Sequence, residues 1–393
     1  MKALAGTLAA LLALTACAAE GDPEGLGTQS PSPQPSTRTG EPHPTDDPSP
    51  SVSPTNDTED DAADASGPLR PRVSGTVAAD LQAPWGIAFL PDGTALVSER
   101  DTTRVLAVSG EPGDEPRAVG RLEDARPQGE AGLLGLAVSP TFDDDSLVYA
   151  YLSTDSDNRV VRMEYDGRSL GEPEVVLDGI PNGFIHDGGR LLFGPDGYLY
   201  VSTGEIGEPA LAQDRDSLAG KILRITPEGD PAPDNPVDGS PVWTMGHRNV
   251  QGLAFDNQDR LWASEFGAST WDELNRIERG RNYGWPLVEG RGDLEEYRNP
   301  FAQWRTSEAS PSGLAFAEGS LWMASLRGQR LWQVRVRRDG SVAQPRDYFV
   351  GEHGRLRTVV LAPDGSLWLS TSNRDGRGEP GPRDDRILRI TLR

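Results

Sequence analysis

The sequence predicts an all-β fold in which one structural unit recurs six times. Each copy contains a small or turn residue, three or four apolar residues, a tight turn and a second strand of alternating apolar residues. The copies follow one another at intervals of roughly 45 to 65 residues, a period typical of repeated four-stranded units. They begin at Gly86, Gly135, Arg190, Gly252, Gly313 and Thr358.

The turns and the number of copies favour a six-bladed β-propeller with four-stranded antiparallel blades. Pro-Asp-Gly turns begin at Pro91, Pro195 and Pro363, where proline fixes φ and the Asp-Gly pair accepts positive φ. One blade cannot bury its own apolar face, so six copies should close around a central channel. A β-sandwich explains the regular recurrence poorly. We therefore assign residues 71–393 to the propeller.

The first 17 residues have the features of a secretory signal. Met1-Lys2 precedes a short Ala/Leu-rich run, which is too short to span a membrane. The run ends in Leu-Thr-Ala-Cys17, which resembles a bacterial lipobox, so we expect Cys17 to be lipidated and to anchor the protein to the outer face of the cell membrane. The alternative is an ordinary signal peptide with an incidental cysteine. Cys17 is the only cysteine, so no disulfide forms within the chain.

Residues 18–70 are predicted to form a disordered tether. They are rich in Pro, Ser, Thr and acidic residues and have almost no large apolar side chains with which to offset the entropy of ordering. Between residues 18 and 66, eleven acidic residues face one basic residue, which accounts for ten of the 23 net negative charges. The remaining acidity excludes nucleic acid as a partner, because phosphate binding requires a basic surface.

His186 is the first candidate for proton-transfer chemistry. The chain has only four histidines, and His186 lies in the run Ile185–Arg190, just before an expected strand at residues 191–193. A neutral imidazole is suited to act as a general base near neutral pH, and strand ends are where propellers display functional groups. A surface or strand-capping histidine is the alternative.

Several motifs occur in one order along the propeller and together resemble those of a known family. They are Gly129-Glu-Ala-Gly-Leu-Leu-Gly135, His186 to Gly197, Gly246-His-Arg-Asn-Val-Gln-Gly252, Ser264-Glu-Phe-Gly267, Asp272-Glu-Leu-Asn275, Asn282-Tyr-Gly-Trp-Pro286, Gly354-Arg-Leu-Arg357 and Thr371-Ser-Asn-Arg-Asp-Gly376. The propeller resembles the soluble pyrroloquinoline-quinone (PQQ)-dependent sugar dehydrogenases of the glucose/sorbosone dehydrogenase family, especially their aldose dehydrogenase branch. The resemblance implies PQQ- and Ca²⁺-dependent oxidation of aldose sugars at C1 to lactones, with electrons passed to an unknown acceptor.

The resemblance implies roles for three residues near the reacting atoms. His186 matches the family's catalytic base, and Arg248 and Asn249 match the pair that holds the quinone. An arginine there would stabilise the oxyanion that develops at the quinone carbonyl. The family usually has an acidic residue before the histidine, but this chain has Ile185. We therefore expect Asp187 to orient His186 and to lie near the substrate.

Further positions match cofactor ligands. Arg355 and Arg357 are two residues apart, which on a strand places both on one face, where the carboxylates of the cofactor could bind them bidentately. Arg327 lies where the glucose dehydrogenase branch has lysine. Glu130 lies where glutamine is typical, so it would either hydrogen-bond the sugar beside the cofactor or repel the cofactor's own acids.

The resemblance also implies a metal site and a contact with the sugar. The main-chain carbonyls of Gly267 and Ala268 would complete the coordination of Ca²⁺, with Glu265 and Asp272 as supporting ligands. Trp304 would either stack on a sugar ring or pack in the core, and both readings stay open.

Two other functions fit the same fold. A non-catalytic ligand-binding propeller at the cell surface is favoured by the departures at Glu130 and Ile185. A calcium-dependent lactonase or other hydrolase is possible on any six-bladed scaffold. Nucleotide use is excluded, because Gly220-Lys221 is followed by isoleucine rather than Ser or Thr, and the Gly129 motif lacks dinucleotide-binding spacing.

Overall fold

The computed structural model describes residues 51–52, 69–111 and 114–393. The chain divides into two units, Met1–Asp47 and Pro48–Arg393, and only the second contains described residues. The predicted signal, including Cys17, and nearly all of the predicted tether lie outside the described residues. Within the described part of the chain, no helix is long and apolar enough to cross a membrane.

The described residues form 25 β-strands and almost no helix. The first strands are β1 (Ser51–Val52), β2 (Pro71–Ala78), β3 (Pro84–Phe89), β4 (Ala95–Glu99), β5 (Arg104–Val108), β6 (Arg117–Arg121), β7 (Leu133–Val138), β8 (Leu147–Ser153), β9 (Asn158–Glu164), β10 (Glu174–Ile180), β11 (Leu191–Phe193), β12 (Leu199–Ser202), β13 (Lys221–Ile225) and β14 (Val242–Met245). The others are β15 (Val250–Phe255), β16 (Leu261–Glu265), β17 (Trp271–Ile277), β18 (Ala302–Arg305), β19 (Pro311–Ala317), β20 (Ser320–Ser325), β21 (Arg330–Arg335), β22 (Arg346–Tyr348), β23 (Leu356–Leu361), β24 (Leu367–Thr371) and β25 (Ile387–Leu392). The helices are the one-turn α1 (Phe142–Asp145) and a 3₁₀ turn at Pro209–Ala212.

These strands confirm the predicted six-bladed propeller. Blades one to five contain β3–β6, β7–β10, β11–β14, β15–β18 and β19–β22, each with antiparallel neighbours. Blade six combines β23, β24 and β25 with β2 from the start of the domain, so this strand pairing closes the ring. The inner strands β3, β7, β11, β15, β19 and β23 contact one another in that cyclic order.

One short strand comes from the segment predicted as a tether. The backbone of β1 pairs with β18, with Ser51 opposite Gln303 and Val52 opposite Ala302. Blade four is therefore five-stranded. The prediction of a segment without secondary structure does not hold for these two residues.

Apolar side chains fill the spaces between neighbouring blades. Between blades two and three, for example, Tyr149 and Leu199 are buried in one cluster. Between blades four and five, Trp262 packs in the same cluster as Leu321 and Trp332. Because each sheet is covered on both faces by its neighbours, most strands are buried along much of their length.

The glycine that opens four of the six repeat copies has a steric cause. A Cβ atom on Gly252 would lie 2.2 Å from Ser264 Oγ and 2.3 Å from Ser312 O of the next blade. Gly86, Gly135 and Gly313 are similarly enclosed by backbone atoms of a neighbouring blade. The repeat thus marks the places where inner strands approach most closely.

Gly252→Ala should destabilise the propeller by at least about 2 kcal/mol, because the new methyl group meets backbone and a buried serine that cannot move aside. Chemical denaturation would measure this loss. Gly75→Ala on the exposed strand β2 is the matched control, since its Cβ would meet nothing within 4 Å. Equal stabilities of the two variants would contradict the proposed steric role of the repeat glycine.

Candidate functional site

The predicted site residues converge at one end of the propeller, except that Trp304 is buried on the outer strand β18. At this end the first strand of each blade begins and the second strand ends. His186 precedes β11, Asn249 precedes β15 and Arg355 precedes β23, whereas Arg327 follows β20. Loops from different blades therefore converge there, as functional loops commonly do on a rigid scaffold.

The backbone of His186 is held in an unusual conformation. Its φ is 62°, in the left-handed region that non-glycine residues seldom adopt. Its N–H donates to Glu130 Oε2 at 3.0 Å, and its carbonyl accepts the N–H of Ile206 at 3.3 Å. Gly204 passes so close that a Cβ there would lie 1.8 Å from the His186 carbonyl oxygen. Such conformations persist only where the surroundings determine them, and they cluster at functional sites.

The imidazole of His186 is oriented by Glu205, a residue that the sequence analysis missed. Nδ1 forms a short hydrogen bond with Glu205 Oε1, which also accepts the N–H of Gly207 at 3.1 Å. The Glu205 side chain is 1% exposed and that of His186 is 12% exposed. The carboxylate places the ring proton on Nδ1, so the lone pair of Nε2 is available to accept a proton. Nε2 has no hydrogen-bond partner among the described residues.

A sequence signal for Glu205 does exist. Glu205 lies three residues after Ser202, the last residue of β12, and so falls just beyond the second strand of its blade. A carboxylate just beyond the second strand of a blade therefore lies at the functional end. Its pairing with His186, 19 residues earlier, depends on the tertiary fold.

The expectation that Asp187 orients His186 or contacts substrate is wrong. Asp187 is 1% exposed, and its Oδ1 accepts the side-chain N–H of Asn158 and the backbone N–H of Gly183, both at 3.0 Å. It therefore fastens the preceding loop from within the protein. Burial raises the pKa of Asp187 to about 7.

Arg248 and Asn249 are tied to the histidine loop. The carbonyl of Arg248 accepts the N–H of Glu205 at 2.8 Å, and Asn249 Oδ1 accepts the N–H of Gly188 at 3.1 Å. The guanidinium of Arg248 donates from Nη1 to the carbonyl of Gly267 at 2.6 Å. Burial lowers the pKa of Arg248, and the nearby carboxylates of Glu205 and Glu130 oppose that shift. A cation is thereby fixed next to the histidine loop.

His247, the residue before Arg248, forms a buried pair with Glu265. It is fully buried, with Nδ1 2.8 Å from Glu265 Oε2 and Nε2 2.9 Å from Thr244 Oγ1, and its ring stacks on Tyr283. Glu265 also accepts the backbone N–H of Arg248. This buried pair supports the backbone that carries Arg248.

A cavity of about 180 Å³ lies beside these residues and carries an excess of positive charge. Five arginines and one carboxylate line it, namely Arg100, Arg327, Arg355, Arg357, Arg377 and Glu130. The other lining residues are Trp85, Gln251, Phe266, Ser310 and Leu326. Among the described residues, three carboxylates pair with these arginines, namely Asp101, Glu130 and Asp375. Such a cavity suits an anion with several acidic groups.

The predicted pair Arg355 and Arg357 shares a single carboxylate. Asp375 Oδ2 lies 2.9 Å from Arg355 Nη2 and 3.4 Å from Arg357 Nη2. Arg357 also donates to Gln251 Oε1 at 3.3 Å and to Ser372 Oγ at 3.1 Å. Burial lowers the pKa of Arg357 to about 10, although Asp375 opposes the shift. Two guanidinium groups therefore converge with one unit of negative charge between them.

Glu130 forms an ion pair with Arg377, a partner that the sequence analysis did not identify. Its Oε1 lies 2.7 Å from Arg377 Nη1, and its Oε2 accepts the His186 N–H. Burial alone would raise the pKa of Glu130, but the His186 N–H and the Arg377 guanidinium outweigh burial and hold that pKa below its ordinary value. Glu130 is thus an ionised group whose charge is matched at the cavity wall.

The residues predicted to bind metal lie in the loop after β16. The Gly267 carbonyl faces Arg248, while the Gly267 N–H donates to Asp272 Oδ1 at 2.8 Å. Both proposed supporting carboxylates already accept protein N–H groups, Asp272 from Gly267 and Ser310 and Glu265 from Arg248. The described residues contain no cluster of three or more His, Cys, Asp or Glu side chains suited to a metal. A cation in this loop would depend on carbonyl oxygens and on a bound ligand.

Trp304 does not reach the site. The hypothesis that it stacks on a sugar ring is therefore wrong, and the alternative that it packs in the core is correct. It lies on β18 with no exposed surface, and its ring packs 5.6 Å from that of Trp332. A tryptophan enclosed between two blades has no face free for a sugar.

Comparison with known proteins gives a consistent result. A family model described as Glucose / Sorbosone dehydrogenase matches residues 81–388. The PQQ-bound form of aldose sugar dehydrogenase from Streptomyces coelicolor has 53% sequence identity and a TM-score of 0.81, with 83% of this chain and 98% of that chain covered. Aldose sugar dehydrogenase YliI of Escherichia coli strain K12 is 28% identical over 75% of this chain and 89% of its own length. Quinoprotein glucose dehydrogenase B of Acinetobacter calcoaceticus is 33% identical over 56% of this chain and 54% of its own length.

The buried Asp187 predicts a pH dependence of stability. Above pH 4 the unfolded chain ionises this carboxyl, whereas the folded protein keeps it protonated up to about pH 7. Its contribution to stability should therefore fall as pH rises across this window, by up to about 1.4 kcal/mol per pH unit. Asp187→Asn removes the titration, so the variant should gain stability relative to the wild type between pH 4.5 and 7. Urea unfolding at several pH values measures this difference, with the exposed Asp143→Asn as control; a constant difference between wild type and Asp187→Asn would contradict it.

Proposed function

Because the chain belongs to the glucose/sorbosone dehydrogenase family, we propose that it oxidises aldose sugars at C1 to lactones with PQQ and Ca²⁺. The observation that carries this proposal is the arginine-lined cavity next to an imidazole held by a buried carboxylate. The electrons then pass to a separate acceptor.

The charge of the cavity fits PQQ, which has three carboxylates. Five arginines line the cavity and share three carboxylate partners, so an anionic ligand would balance charge that the protein leaves uncompensated. Arg355, Arg357 and Arg327 would bind the acidic groups, and Arg248 and Asn249 would bind the quinone end. When bound, the quinone supplies the hydride acceptor, a function that no amino-acid side chain provides.

His186 would remove the proton from the C1 hydroxyl of the sugar. The proton moves from the hydroxyl oxygen to Nε2, and the electron density left on oxygen makes C1 a better hydride donor. Glu205 keeps the other ring nitrogen protonated and stabilises the imidazolium that forms, because its buried negative charge is already hydrogen-bonded to Nδ1. The same bond fixes the ring plane, so Nε2 does not have to be reoriented for each turnover.

Arg248 would provide positive charge where negative charge develops during hydride transfer. Its guanidinium is fixed by the Gly267 carbonyl and its backbone by Glu265, so little reorganisation is needed when the charge appears. The carbonyls of Gly267 and Ala268 would contribute to binding Ca²⁺, which accepts carbonyl oxygens in irregular geometry. With few carboxylates free nearby, tight metal binding would require the oxygen and nitrogen atoms of the cofactor.

Reconstitution tests the function directly. Purified protein supplied with Ca²⁺ and PQQ should reduce an artificial electron-accepting dye when an aldose is added. His186→Ala should still bind PQQ, measured by fluorescence titration, but should lose about 10²- to 10⁴-fold in kcat, the usual contribution of a general base. Full activity in that variant would remove His186 from the mechanism. Wild-type protein that binds PQQ but reduces no dye with any aldose of a broad panel would instead favour a ligand-binding propeller.

We also propose that Cys17 carries a lipid that anchors the protein to the outer face of the cell membrane, on the basis of the lipobox-like Leu-Thr-Ala-Cys sequence. In cells, Cys17→Ser should shift the full-length protein from the membrane fraction to the soluble fraction, because one substitution removes the acylation site. An unchanged membrane fraction for the variant would contradict the anchor.

A further inference from the structure

A side chain outside the family motifs controls the loop that carries Gly267 and Ala268. Glu289 lies between β17 and β18, and its Oε1 accepts four consecutive backbone N–H groups of residues 268–271. The distances from Oε1 are 2.8, 3.0, 2.8 and 3.1 Å in chain order. Consecutive N–H groups converging on one oxygen form an anion-binding nest, which the protein here fills with its own carboxylate.

The nest determines where the carbonyls point. In a trans peptide the C=O of one residue is directed opposite to the N–H of the next. Because the Ala268 N–H points at Glu289, the Gly267 C=O must point away from it, and this carbonyl does face Arg248 Nη1 at 2.6 Å. The Ser269 N–H fixes the Ala268 C=O in the same way.

Further contacts fix both the loop at Gly267 and the backbone beside Glu289. A Cβ atom on Gly267 would lie 1.8 Å from the Trp271 carbonyl oxygen and 2.9 Å from Glu289 Oε1, so only glycine allows the loop to close this tightly. On the other side, the Gly290 N–H donates to the buried Glu273 Oε1 at 2.7 Å, which fastens the backbone beside Glu289 to β17. Glu289 is thus a rigidly placed anchor.

We propose that Glu289 is a positioning residue that directs the Gly267 and Ala268 carbonyls toward the bound metal and cofactor. The identity of the metal rests on the proposed function; the orientation of the carbonyls rests on the hydrogen bonds. Glu289 acts through the four peptide groups whose N–H donors it accepts.

Glu289→Ala tests this role through metal affinity. Calcium binding to the full-length protein in the presence of PQQ, measured by calorimetry, should weaken about 10- to 100-fold, as is usual when a residue that orients metal ligands is lost. Formate is small enough to enter the vacated nest and should restore the affinity in a saturable manner. Neither effect should occur in Glu295→Ala, an exposed glutamate of the same inter-strand segment that has no backbone nest.

Each outcome supports or overturns the proposal. Calcium affinity within twofold of the wild type in Glu289→Ala overturns it, and so does a loss that formate does not reverse, because general disruption of the loop would not respond to a small anion. If the alanine variant does not fold, Glu289→Gln replaces it and should show a smaller loss in the same direction, since the amide oxygen is a weaker acceptor. Wild-type protein that binds no Ca²⁺ with PQQ would refute the proposed function. Formate-dependent recovery of thermal stability in Glu289→Ala without ligands would then still test the nest.

Discussion

The close approach of the inner strands around the axis is the constraint on which the rest of this structure depends. Where a glycine opens a repeat copy, the neighbouring blade lies too near for a side chain. Serines at the ends of second strands then donate to backbone carbonyls of the next blade, Ser202 to Val250 at 2.8 Å and Ser264 to Ser312 at 2.6 Å. These bonds fix one blade against the next at the end where the loops of the site begin, so side chains from different blades are placed with little freedom.

The two repeat copies without this glycine have a side chain at that position. Arg190 and Thr358 occupy the glycine position in blades three and six, and their side chains meet, with Arg190 Nη2 3.2 Å from Thr358 Oγ1. Arg190 is 8% exposed, lies 4.2 Å from the Trp85 ring centroid, and has no carboxylate within 4.0 Å among the described residues. Burial lowers its pKa to about 9, and the nearby Arg357 contributes. A buried cation without a counter-ion is costly, and an anion bound in the neighbouring cavity would lower this cost.

The sequence predicted the features that depend on local pattern and missed those that depend on contacts between blades. Six copies of one strand pattern were sufficient for the fold, position before a strand indicated His186, and the family resemblance indicated Arg248. The orienting carboxylate was assigned to the adjacent Asp187, but the left-handed backbone of His186 directs its ring to Glu205 from another loop. Trp304 could not be assigned from sequence because an aromatic residue at a strand edge suits either a sugar or a neighbouring blade.

The two departures from the family pattern are best understood together with their partners. Ile185 replaces the acid expected before the histidine, yet Glu205 supplies a buried carboxylate to the same imidazole. Glu130 adds a negative charge where an amide is expected, yet Arg377 adds a positive charge 2.7 Å away. The cavity therefore keeps its excess of positive charge. The Glu130 carboxylate also accepts the N–H of the strained His186, and an amide oxygen would accept this hydrogen bond less strongly. A substitution that looks unfavourable at one position is thus balanced by a second residue that only the fold brings near.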